Sequence, residues 1–205
     1  MELALSMTKE NSTSNHLTGE TWEVLLRAHE DFRSAAAPAY DEVFTEVSER
    51  VRASTSVGKA DIGALLFWKR LRADTRWVRD LMAMRDVDVR LVTTKAVAAV
   101  NDTSKGVPEA ASAGRAALST LPGLARGDAL ASALLTAAAP EHMAVYDRRA
   151  QKGLEALGLS LSAARGRYGR YMQIVGDLSS AAKQYGYNWS AREVDLALYW
   201  LGGQV

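Results

Sequence analysis

Apolar residues along this chain recur at spacings of three and four, and very few runs alternate with a period of two, so the pattern predicts helices almost throughout. Residues 20–35 place Trp22, Leu25, Leu26 and His29 on one stripe. Residues 39–53, entered after Pro38, place Val43, Phe44, Val47 and Val51 on another. A small-residue loop ends at Gly58, and Asp61 stands where it would cap "IGALLFWKRLRA", with Leu65, Leu66, Trp68 and Leu71 turned inward. Asp74 or Thr75 opens a helix through Met84. Asp86 or Asp88 opens the next, which ends near Asn101 before the loop "NDTSKGVP". Pro108, in a first helical turn, starts "PEAASAGRAALSTL". A proline-glycine turn follows, then helices over about 127–139 and 147–157, the second stopped by Gly158. Two last helices cover about 164–185 and 190–201. Ser190 and Glu193 form a capping box in the second, and Asp195 reads as a structural or surface acid. With no internal repeat and no low-complexity linker, the expected fold is all-α over residues 20–205, packed as one body or two closely joined lobes. The polar residues 1–19 are expected to fray.

Composition narrows the chemistry. A chain of 205 residues with 48% hydrophobic residues can bury a sizeable core without staples. The absence of cysteine excludes disulfides, iron–sulfur clusters and cysteine–zinc sites, and His16, His29 and His142 lack metal-ligand spacing, so neither metal nor cofactor is expected. The uncharged run 129–140 is too short to span a bilayer, and "MELALSM" lacks the basic start and the length of a signal peptide; a cytoplasmic protein is expected. Met7 is a second plausible translation start. The net charge of +1 conceals an asymmetry: residues 1–50 hold four Lys and Arg against ten Asp and Glu, or −6, and the remainder holds 21 against 14, or +7. The basic part is the candidate for meeting a polyanion. "VGKAD" at 57–61 lacks the glycine spacing and hydroxyl of a phosphate-binding loop, and no Gly-x-Ser-x-Gly elbow is present.

The most informative stretch is "LPGLARGDALASALLTAAAPEHMAVYDRRA", residues 121–150. Leu121 and Leu124 anchor a turn in which Pro122 stiffens the entry and Gly123 supplies backbone angles closed to other residues. The amides opening the next helix are unpaired and suited to a phosphate, which lets a protein hold a nucleic-acid backbone without a large basic cluster. Asp147 follows, with Val145 before it and Leu154 and Leu157 after it on the apolar face, so the residue also reads as a helix N-cap. Capping leaves the carboxylate open to a chemical role as well.

These residues, with "LEALGL" after them, resemble the signature of the helix-hairpin-helix DNA glycosylases, the superfamily of endonuclease III, MutY and 8-oxoguanine glycosylase. Leu121, Pro122, Gly123 and Leu124 match the hairpin, Arg126 and Ala129 match the helix start, and Asp147 falls at the family's catalytic aspartate. The likeness covers about 117–159; over 61–116 it rests on helix order alone. It implies a helix-hairpin-helix fold and a bacterial, nucleoid-associated, monomeric enzyme of base-excision repair acting on double-stranded DNA that carries a damaged base. Leu121, Pro122, Gly123, Leu124, Ala125, Arg126 and Gly127 would grip a phosphate, and Arg148 and Arg149 would add charge contacts.

The same resemblance specifies the chemistry. Breaking an N-glycosidic bond develops positive charge on the sugar, which one carboxylate, that of Asp147, stabilises while directing water to it. The base must first leave the stack, and Tyr146, Trp68, Trp77, Tyr168 and Tyr171 are candidate walls for it. Ala125 replaces the second hairpin glycine, and Gly127 stands where bifunctional members keep a Schiff-base lysine, so a hydrolase without lyase activity through that residue is implied. Asp128 brings a negative charge to the phosphate site or caps the helix. The alternative is a non-catalytic nucleic-acid-binding module of the same fold; a helical protein–protein adaptor is a third reading. Two basic, aromatic segments, 68–79 ("WKRLRADTRWVR") and 165–173 ("RGRYGRYMQ"), are either DNA-facing or ordinary solvated helix faces.

Overall fold

The computed structural model describes residues 19–205. Ten helices and no strand are found among the described residues: α1 Gly19–Ala35, α2 Glu42–Ser54, α3 Lys59–Trp68, α4 Arg76–Ala83, α5 Asp86–Val100, α6 Val107–Leu118, α7 Ala129–Ala138, α8 Arg148–Ala156, α9 Arg167–Gln184 and α10 Ala191–Gln204. The fold class is all-α, as the periodicity predicts. The expected N-terminal tail, with His16 and Met7, lies outside the described residues except for Gly19, which opens α1.

Buried side chains from all ten helices form one continuous hydrophobic core. The chain closes on itself through α1 and α10, with a rim of aromatics in which Trp22 stacks on Tyr185 at 5.1 Å and meets Trp189 at a tilt at 4.9 Å. Helix α10 lies so close to α8 that a Cβ on Gly202 would fall 1.8 Å from the Arg149 carbonyl oxygen, and one on Gly153 would fall 2.3 Å from that of Leu198. Two glycines therefore set this crossing, and it brings the outer turn of α10 over the N-terminus of α8.

Several boundaries differ from the pattern-based expectation for local reasons. Asp61 is not the cap of α3: Gly58 is, and Asp61 sits in the first turn, accepting the Gly58 amide at 3.0 Å and the Arg50 guanidinium at 2.8 Å. Helix α3 also stops at Trp68, earlier than "IGALLFWKRLRA" suggests, because Arg70 adopts φ +53° and the Leu71 and Arg70 amides turn back onto the Leu66 and Phe67 carbonyls. This is the C-terminal turn usually closed by glycine, here closed by arginine. Leu71 consequently leaves the inward stripe and is 37% exposed. Helix α9 starts at Arg167, behind Gly166 at φ +83°, and the Ser190–Glu193 capping box forms as expected.

Candidate active-site cleft

Asp147 is held by the first turn of α8. Its Oδ1 accepts the amides of Arg149 at 2.9 Å and Ala150 at 3.0 Å, so the helix-cap reading of this residue is correct as local structure. Its Oδ2 accepts from the Lys69 ammonium, which α3 delivers at its C-cap. The two side chains are only 15% and 11% exposed, yet they lie on a solvent-open cleft of about 440 Å³. Trp68, Lys69, Arg70 and Leu71 form one wall, Asp147, Arg148 and Arg149 another, and Tyr40, Tyr199 and Ala129 complete it.

The cleft is stiffened from beneath. Arg192 of α10 donates to both oxygens of Asp41, at 2.9 and 3.0 Å, and also to Asp195, and its guanidinium lies 5.3 Å from the Trp68 ring and 5.4 Å from Phe44. Burial opposes the charge of Arg192, but Asp195 and Asp41 outweigh it and raise its pKa. Asp195 is fully enclosed, and burial pushes its carboxyl up to about 6 against the pull of Arg192 and Lys69, with nearby Asp147 pushing the same way as burial. The acid expected to be a structural or surface group is thus a buried neighbour of the cleft. Above it Tyr199 receives Arg149 at 4.7 Å and Lys69 at 5.6 Å against its ring.

The proline–glycine turn lies outside this cleft: Ala125, Arg126 and Gly127 line a separate depression with the loop 163–167, and of residues 121–129 only Ala129 reaches the cleft of Asp147. Leu121 and Leu124 are each 1% exposed, and the Leu124 amide donates to the Leu121 carbonyl at 3.0 Å. Gly123 has φ +79°, and a Cβ there would strike the Trp77 ring at 2.2 Å, so Trp77 covers the turn and does not line the cleft. Arg115 of α6 donates to the Leu124 carbonyl at 2.8 Å, the Gly127 carbonyl at 2.9 Å and Asp128 at 2.8 Å. Arg167 reaches Asp128 from the other side at 2.7 Å. Burial would raise the Asp128 carboxyl, but these two guanidiniums prevail and lower it. Asp128 occupies the N-cap position of α7 without capping it; its charge is spent within the fold. Ala125, Arg126 and Gly127 are exposed beside the loop 163–167, and no acceptor for their amides is found among the described residues.

Ser132, in the first turn of α7, connects the two features. Its hydroxyl accepts the Tyr146 amide at 2.9 Å, immediately before Asp147, and shares its one proton between the carbonyls of Ala129 at 3.2 Å and Tyr146 at 3.3 Å. Tyr168 and Tyr171 are buried and donate to the carbonyls of Ala144 at 2.9 Å and Val145 at 3.1 Å; the Tyr146 ring packs on Tyr171 at 4.8 Å. Of the five aromatic wall candidates only Trp68 lines the cleft beside Asp147. The three tyrosines instead brace the loop that presents the aspartate. Lys69, Tyr40, Tyr199, Arg192 and Arg115 were not singled out individually by the sequence pattern as site residues. Only the basic run 68–79 carried a signal, and that for Lys69 alone.

No group of His, Asp and Glu suited to a metal occurs among the described residues, and no helix there is long and apolar enough to cross a membrane. Comparison of the chain with protein-family models, curated proteins and solved structures gave no match.

Proposed function

We propose that this protein is a helix-hairpin-helix DNA glycosylase-like hydrolase that releases a modified base from double-stranded DNA, with Asp147 as the carboxylate beside the sugar. The observation that carries this reading is the hydrogen-bonded connection between the loop bearing Asp147 and the first turn of α7, the helix that follows the proline–glycine turn. A carboxylate fixed by two amides opens onto a cleft, and one serine hydroxyl ties it to the helix that follows the turn. A preorganised carboxylate needs no reorientation as positive charge develops on the deoxyribose, which is the condition for electrostatic stabilisation to lower a barrier. The amides of Ala125, Arg126 and Gly127, without an acceptor among the described residues, and the Arg126 side chain would hold a phosphate in the separate depression beside the loop 163–167, and Arg148 and Arg149 would meet the strand at the cleft of Asp147. Trp68 and Leu71 give an extruded base an apolar wall.

The engagement of both Asp147 oxygens, one with the helix amides and one with Lys69, favours the second reading, a binding module of the same fold without base release. The two are separated by incubating duplexes that each carry one modified base with wild type and with Asp147→Asn. Because asparagine also caps helices, the variant keeps α8. Base release by wild type and its loss in Asp147→Asn, with retained duplex binding, is the expected result. Full excision by the variant removes Asp147 from the chemistry, and salt-sensitive binding without release from any lesion identifies the binding module.

A further inference from the structure

We propose that Arg70 and Arg149 hold a phosphate monoester at the mouth of the cleft, either the 5′-terminal phosphate of a strand or a free nucleoside monophosphate. The inference goes beyond base release and does not depend on it. Tyr199 gathers three cations: Lys69 Nζ and Arg149 Cζ lie 5.6 and 4.7 Å from its ring centroid, and Arg70 Nη2 lies 3.4 Å from its hydroxyl oxygen. Asp147 answers the charge of Lys69. Arg70, Arg148 and Arg149 are exposed on the same cleft, and none of them has a carboxylate within ion-pair distance among the described residues. Guanidiniums brought to one ring with no acid between them repel, and an anion removes that cost. A phosphate monoester carries a charge of about −1.5 to −2 at neutral pH, which two guanidiniums match, whereas a bridging diester carries only one charge. Its oxygens also suit the paired donors of the arginine fork. Tyr40, Trp68 and Leu71, on the same cleft, offer apolar surface to the attached nucleoside.

The backbone supplies a second, independent observation. Arg70 stands at φ +53°, and the other left-handed positions among the described residues belong to five glycines and Thr55. The Arg70 amide closes the end of α3 on the Phe67 carbonyl at 2.9 Å, a task that glycine performs without the Cβ penalty. A positive charge for the C-terminus of α3 is already present in Lys69. The strained position therefore brings the fold nothing that glycine and Lys69 would not, and what arginine adds is a guanidinium over the open cleft. Strain held at such a place is the mark of a residue kept for a ligand.

Calorimetric titration of the full chain with deoxyadenosine 5′-monophosphate and with deoxyadenosine tests the site, and 5′-phosphorylated and 5′-hydroxyl copies of one duplex separate a strand end from a free nucleotide. The phosphorylated form is expected to bind at least about tenfold more tightly in one pair or in both. A preference shown by the duplex assigns the site to strand ends, and one confined to the mononucleotide assigns it to a free nucleotide. Arg70→Gly should remove most of the preference while raising the thermal midpoint by about 1–3 °C, since the left-handed strain is relieved. Arg149→Gln should remove the preference without that rise. Equal binding within both pairs, an undiminished preference in Arg70→Gly, or a midpoint that does not rise in that variant overturns the proposal. Base release from a lesion duplex is scored separately: release without a phosphate preference defeats only this site, whereas a phosphate preference without release from any lesion defeats only the glycosylase reading.

Discussion

The contact between Lys69 and Asp147 predicts a measurable coupling that does not depend on any activity. Asp147→Asn keeps an oxygen on the amides of Arg149 and Ala150 and removes the charge facing Lys69, while Lys69→Gln removes the other charge. Two unit charges at contact attract by about 4 kcal/mol at an effective dielectric constant near 20. Both side chains are largely withdrawn from water, at 11% and 15% exposure; the desolvation each suffers falls in the single-variant losses and drops out of the cycle, while the open cleft and neighbouring charges screen part of the attraction itself. Fully exposed pairs, by comparison, return roughly 0.2–1 kcal/mol. The expected coupling in a double-mutant cycle is therefore about 1–2 kcal/mol. With a urea m-value of about 2 kcal/mol/M, either single variant should unfold about 0.5–1 M earlier than wild type, and the double variant should lose less than the sum. Urea unfolding followed by circular dichroism for the four proteins measures it. A coupling below about 0.3 kcal/mol would mean that the pair is solvent-screened, and the picture of a carboxylate pinned by a lysine inside the cleft would fail.

Two further outcomes concern the hairpin. Gly123→Ala places a methyl 2.2 Å from Trp77 at a backbone angle of +79°, so thermal unfolding should register a loss of about 2–4 kcal/mol; Gly127→Ala, at +75° with open space, should lose only about 1 kcal/mol. Equal losses would show that Trp77 does not cover the turn. Asp128, whose carboxyl is lowered by Arg115 and Arg167, contributes stability that is present above the unfolded aspartate value near 3.8 and disappears as pH falls through the lower folded value. The stability difference between wild type and Asp128→Asn should accordingly be largest near neutrality and shrink in acid. A pH-independent difference would place the effect in packing and not in charge.

What the sequence determined by itself was local. A helical period, a proline–glycine turn between two leucines, an acid before an amphipathic segment and a Ser–Glu box each act over a few residues, and the described residues carry ten helices with α8 capped by Asp147 and α10 by Ser190. Trp68, Trp77, Tyr146, Tyr168 and Tyr171 stood on equal terms as wall candidates, because a buried ring and a wall ring share one helical spacing, and only the tertiary structure sets Trp68 apart from the other four. The site itself was decided by tertiary structure. Continuing α3 past Trp68 would have kept Leu71 on the inward stripe; the left-handed Arg70 ends the helix and leaves Lys69 at its C-cap, facing Asp147, 78 residues away along the chain. Tyr199 joins the cleft, with Asp195 buried beside it, because Gly153 and Gly202 let α10 settle against α8. Periodicity reports which face of a helix is apolar, but a cleft depends on where helices stop and how closely they cross, and those are set by contacts between segments far apart in sequence.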